Sequence, residues 1–139
     1  MVTINCLFVY GTFIFEDQDP SHGIDTTEII DETKTGWVEG KLYQTGGFPF
    51  LVLEGDDKVK GKLFRCCTIN PLIKTYDKIE GVNEPNPFFE RVVTDVELER
   101  GNELEAYVYV AGSYLKNKYM KPKNRITTGC WLDWLKNNI

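Results

Sequence analysis

At 139 residues, with 42% hydrophobic side chains, the chain has the size and apolar content of one domain able to bury its own core. The formal charge of −5, with acidic residues spread over most of the length and no basic stripe, argues against a nucleic-acid or anionic-membrane partner. No apolar run approaches the roughly 20 residues that span a bilayer, and no basic segment followed by an apolar core opens the chain, so a soluble, cytoplasmic protein is expected.

The first element is an apolar strand, Leu7-Phe8-Val9, that stops at Tyr10-Gly11-Thr12. A strand ending in glycine admits close approach or positive φ, so its N–H groups can cradle a carboxylate or a developing oxyanion; a steric need at a strand end explains the same glycine. His22 follows in Asp17-Gln18-Asp19-Pro20-Ser21-His22-Gly23, a turn-forming stretch. It is the only histidine, which excludes a His-rich zinc site and leaves any chemistry to carboxylates, tyrosines, lysines or backbone.

A strand-like run from Thr35 to Tyr43 turns at Thr45-Gly46-Gly47 into Pro49 to Leu53, and Asp56-Asp57 turns the chain again. Lys58 to Leu63 alternates with period two, placing Val59, Gly61 and Leu63 on one face. Pro71 to Glu80 reads as a helix: Asn70 suits its cap, Pro71 its first position and Gly81 the left-handed residue beyond its end. At about 100° per residue, Leu72, Ile73, Tyr76 and Ile79 share an apolar face; Glu80 projects between Ile73 and Tyr76, and Asp77 nearer the edge. An inward Glu80 is disfavoured as an anion by desolvation and by the negative helix end, which poises it for proton transfer near neutral pH; a frayed last turn would instead release it to water.

Beyond the helix, Val92, Thr94, Val96 and Leu98 share one strand face, Arg100-Gly101-Asn102 turns, and Leu104, Ala106, Val108 and Val110 share a face of the hairpin partner. The four cysteines form no Cys-x-x-Cys pair, and Cys66 and Cys67 point to opposite sides of a strand; reduced, mostly buried thiols are expected. No P-loop or dinucleotide glycine motif is present.

Several segments, in order and spacing, carry a resemblance: Leu7-Phe8-Val9-Tyr10-Gly11-Thr12, Gly40-Lys41-Leu42-Tyr43, Gly46-Gly47-Phe48-Pro49, Val59-Lys60-Gly61-Lys62-Leu63-Phe64, Tyr76-Asp77-Lys78-Ile79-Glu80-Gly81-Val82, Phe89-Glu90-Arg91, Ala106-Tyr107-Val108-Tyr109 and Gly129-Cys130-Trp131. Together they resemble the gamma-glutamylcyclotransferase-like superfamily, especially its gamma-glutamylamine cyclotransferase branch. The resemblance implies a single-domain α/β fold, a curved, barrel-like mixed sheet with few helices. It implies cleavage of a gamma-glutamyl amide by the substrate's own α-amine, releasing 5-oxoproline and an amine with no cofactor and no metal. Glu80 would be the acid/base, and Tyr10, Gly11, Thr12, Phe13, Pro49 and Phe89 would bind the substrate.

The chain departs from the family pattern at three places. Phe89-Glu90-Arg91 stands where Tyr-x-Arg is common, leaving Arg91 as a buried structural partner. Phe13 to Asp19 is aromatic and acidic rather than basic and glycine-rich, and Thr128-Gly129-Cys130-Trp131 replaces Ser-Gly-Asp-Trp. A non-catalytic module that captures a small ligand, and a lyase or amidase acting on another amide, are the alternatives on the same fold.

Overall fold

The period-two patterns become strands of a barrel. The computed structural model describes residues 4–11 and 30–138, so Thr12, Phe13 and His22 lie outside the described residues. Five strands close in the order β1 (Cys6–Val9), β5 (Lys58–Cys66), β2 (Ile30–Glu39), β6 (Phe89–Leu98) and β7 (Glu103–Ala111), with β1 returning to β7. All neighbours are antiparallel except β1 and β7, which run parallel through Leu7↔Tyr107 and Phe8↔Val108. A smaller sheet orders β4 (Pro49–Val52), β3 (Lys41–Gln44) and β8 (Arg125–Ile126); the turn between β3 and β4 contains Gly46 at φ 100°. Among the described residues three α-helices complete this mixed α/β fold: α1 (Asn70–Glu80), α2 (Ser113–Tyr119) and α3 (Trp131–Asn138).

Strand β1 reads as continuously apolar because both its faces are covered. Cys6, Phe8 and Tyr10 join Val38, Val59, Leu63, Val96, Ala106 and Val108 in the cluster inside the barrel, where Trp131 of α3 also sits, stacked on Trp134 at 4.9 Å. Leu7 and Val9 point the other way, into a second cluster with Phe64, Leu72, Ile73, Tyr76 and Tyr109, which seats α1 on the outer wall. Each fully buried aliphatic or aromatic side chain here stabilises by roughly 1.5–3 kcal/mol relative to exposure. The alternation expected for β5, β6 and β7 is present, and β6 and β7 form the expected hairpin, paired from Phe89↔Ala111 to Glu97↔Glu103.

Helix α1 departs from expectation in two details. Its cap position is Ile69, with no side-chain cap hydrogen bond, and Asn70 is already helical. Ile69 is buried in the outer cluster and its carbonyl accepts from the Ile73 N–H at 3.0 Å, so packing, rather than a polar cap, sets the start. Ile79 is 39% exposed although Leu72, Ile73 and Tyr76 are buried. Periodicity gives the direction of the apolar face but not where the covering layer ends. The helix stops as expected at Gly81, whose φ of 70° is left-handed. Cys6, Cys66 and Cys130 are buried free thiols, and Cys67 is an exposed one. Among the described residues no helix is long and apolar enough to cross a membrane.

Candidate active site

The end of β1, the start of β4, the outer face of β7 and the last turn of α1 meet around a cavity of about 70 Å3. Tyr10 and Gly11 follow the end of β1, Phe48 comes from the β3–β4 connection, Pro49 from the start of β4, Tyr109 from β7 and Glu80 from α1, with Phe8 and Val9 behind them. Gly11 has no side chain, so it borders the cavity with its backbone. A Cβ built there would stand 3.0 Å from Pro49 Cγ. Gly11 is not in the left-handed region, so close approach to the Pro49 ring, and not positive φ, is what this position requires.

Tyr10 ties these elements together. Its hydroxyl donates to the Tyr109 carbonyl at 2.5 Å and accepts from the Leu51 N–H at 3.2 Å, joining the β1 end to both β7 and β4. Burial, followed by the negative charge of Glu80, pushes its pKa far up, which keeps the phenol neutral. The Tyr10 hydroxyl is therefore committed inside the protein, and the residue contributes a wall and a clamp.

Glu80 is the carboxyl group that lines this cavity among the described residues. It is half-buried, and desolvation pushes its carboxyl from the ordinary 4.5 up to about 7. Asp77, one turn earlier, is differently placed: it accepts from the Tyr109 hydroxyl at 2.7 Å, and Arg91 Nε lies 3.2 Å from the same Oδ1. Arg91 is exposed rather than buried, lying over the Tyr107 ring at 5.0 Å while reaching Asp77. The two acidic groups of α1 thus divide into one that is paired and one that faces the cavity.

Of the residues named from sequence, Glu80, Tyr10, Gly11 and Pro49 come together on the cavity wall. Phe89 does not line it; it packs one layer back, its ring 5.9 Å from that of Phe48. Thr12 and Phe13 fall outside the described residues. Sequence reasoning missed Tyr109 and Phe48 as lining residues. The available signal was parity: Tyr109 occupies a strand position opposite to Ala106 and Val108, on the face that α1 covers. Among the described residues no group of three or more His, Cys, Asp or Glu side chains gathers as a metal site.

The sequence matches the profile of the family described as gamma-glutamyl cyclotransferase, AIG2-like, over residues 7–133. The chain belongs to this family. Solved structures share the fold: a protein from Arabidopsis thaliana, 21% identical with a TM-score of 0.61, matches over 98% of this chain and 83% of its own. An AIG2-like protein from Mus musculus is 18% identical with a TM-score of 0.61, over 88% of this chain and 82% of its own. A structure described as gamma-glutamyl cyclotransferase is 12% identical with a TM-score of 0.57, over 78% of this chain and 66% of its own. No curated protein matches the sequence significantly. Membership in the cyclotransferase family supports a cyclotransferase-type function for the chain, and the cavity holds a carboxyl group suited to the proton transfers such a reaction needs.

Proposed function

We propose that the chain cleaves a gamma-glutamyl amide by intramolecular cyclisation, with Glu80 as general base and then general acid. The α-amino nitrogen of the substrate attacks its γ-carbonyl carbon, forming the C–N bond of a five-membered lactam. Ionised Glu80 takes a proton from that nitrogen and returns it to the departing amine as the original C–N bond breaks. The products are 5-oxoproline and a free amine, and Glu80 ends as it began.

The observation that carries this reading is Glu80 itself: a half-buried carboxyl on the cavity wall, its pKa raised to about 7, where both protonation states are populated at neutral pH. An unused carboxyl held this way would be a net cost to folding, which favours chemistry over simple capture. Intramolecular attack mainly requires positioning. Tyr10 and Pro49 supply walls that confine the glutamyl chain, and the Gly11 backbone, followed by Thr12, supplies N–H groups for its carboxylate or for the oxyanion. Phe13 completes the binding set, and Phe89 acts from behind Phe48.

The test is a panel of gamma-glutamyl amines and amino acids assayed for 5-oxoproline, with and without chelator. At least one member should yield 5-oxoproline, unaffected by chelator, and Glu80→Gln should lower turnover by about a hundredfold or more. N-acetylating the accepted substrate removes the nucleophile and should abolish reaction. Release of N-acetylglutamate from the blocked compound would identify an amidase instead, and unchanged activity in Glu80→Gln would remove Glu80 from the mechanism.

A further inference from the structure

The Phe48 ring, part of the cavity wall, is also the first rung of an aromatic ladder that leads away from the cavity. Phe88 stacks on Phe48 with centroids 6.1 Å apart and planes 20° from parallel, and Tyr114 stacks on Phe88 at 5.2 Å and 8°. Phe88 is 45% exposed and Tyr114 37%, so apolar ring surface is left open to solvent. With Asn86, Ser113, Asn117 and Lys118, these two rings border a depression of about 580 Å3.

The ladder is held from its backbone. The buried Gly112 donates its N–H to the Phe88 carbonyl at 2.7 Å, and a Cβ at Gly112 would come within 2.5 Å of the Pro87 oxygen. This contact presses the Phe88 segment onto the start of α2, whose first turn carries Tyr114. Exposed rings fixed in this way lose little freedom when a ligand covers them. The outer end of the ladder is cationic. Lys118 Nζ donates to the Tyr114 hydroxyl at 3.2 Å and lies 5.6 Å and 5.4 Å from the ring centroids of Tyr114 and Tyr119. Among the described residues no carboxylate pairs with it.

We infer that Phe88, Tyr114 and Lys118 form the leaving-group subsite, and that the preferred substrates are gamma-glutamyl derivatives of aromatic amino acids; this inference rests on the proposed cyclotransferase reading. Phe48 lines the cavity that holds Glu80 and stacks on Phe88, so a departing amine that extends past this wall runs onto the ladder. An aromatic side chain extends the stack over Phe88, and the carboxylate of the amino acid meets Lys118. A small aliphatic amine leaves the Phe88 face wet, and an amine bearing a second positive charge meets a like charge.

The experiment compares gamma-glutamyl-phenylalanine, gamma-glutamyl-phenethylamine and gamma-glutamyl-alanine, by kcat/KM on the wild type and by calorimetric Kd on the Glu80→Gln protein. The phenylalanine compound should be preferred over the alanine compound by about tenfold, and Phe88→Ala should erase most of that ratio. Phe88→Leu, which keeps bulk without a π face, should also lower it. Lys118→Met should lower the preference for phenylalanine over phenethylamine a few-fold, as should high salt in the wild type. Circular dichroism melts establish that each variant is folded. Turnover with equal ratios, or with ratios that Phe88→Ala leaves alone, overturns the subsite while the cyclotransferase reading stands. Aromatic-selective binding that Phe88→Ala abolishes, with no 5-oxoproline from any probe, sustains the subsite and overturns the cyclotransferase reading. Neither binding nor turnover overturns both.

Discussion

At the scale of single residues, Glu80 couples function to stability. Its carboxyl binds a proton more tightly in the folded chain, at about 7, than its ordinary 4.5. Between those values the folded state holds more protons than the unfolded state, so stability falls as pH rises through this window and levels off above it. The full shift corresponds to roughly 3–4 kcal/mol, reduced by the solvent that still reaches the group. Glu80→Gln lacks this titration, so its stability relative to wild type should improve from pH 4.5 to pH 8 while its turnover collapses. Denaturant midpoints for both proteins across that range would check this, and a constant difference would mean that Glu80 titrates normally. Tyr10 is predicted to matter for a different reason. Tyr10→Phe leaves the Leu51 N–H and the Tyr109 carbonyl without their buried partner, which should cost about 1–3 kcal/mol in chemical denaturation. Equal stability would show that the clamp contributes nothing.

At the scale of elements, the site depends on how two chain segments end. The left-handed Gly81 closes α1 immediately after Glu80, with the Gly81 N–H bonded to the Asp77 carbonyl, and this holds the last turn against fraying. The β1 end depends on clearance. Gly11→Val would push branched carbons into the Pro49 ring, already 3.0 Å from a bare Cβ. The ring and the β1 end must then separate, which deforms the cavity between them. Substrate KM should rise by about tenfold or more in a protein that still folds, if positioning carries the catalysis. An unchanged KM in the Gly11→Val protein would make the turn purely structural.

At the scale of the molecule, the barrel exists because β1, first in the chain, pairs with β5 on one side and with β7 on the other. Leu7 and Phe8 are paired on both sides and buried to 0% and 1% exposure. Their amides should therefore exchange with solvent only through global opening, among the slowest in the chain by hydrogen-exchange NMR. Exchange at the rate of β8, two residues long and paired to β3 alone, would show that the barrel opens locally along its parallel seam.

The elements that local periodicity encodes were legible in the sequence: the lysine-alternating β5, the β6–β7 hairpin around Gly101, and α1 between Pro71 and Gly81 with Glu80 on the Ile73–Tyr76 side. Glu80, Tyr10, Gly11 and Pro49 were nameable as a set only through the ordered resemblance to a family, because no spacing rule links positions so far apart in the chain. Only the tertiary structure decided that Ile69 rather than Asn70 occupies the cap position, that Ile79 stays exposed, that Arg91 pairs with Asp77 from the surface, and that Tyr109 and Phe48 wall the cavity while Phe89 stands behind. Side-chain period fixes which way a residue points relative to its own strand or helix. What it meets there depends on which other elements close over that face, and here that is settled by the parallel return of β1 onto β7 and the seating of α1 on the outer wall.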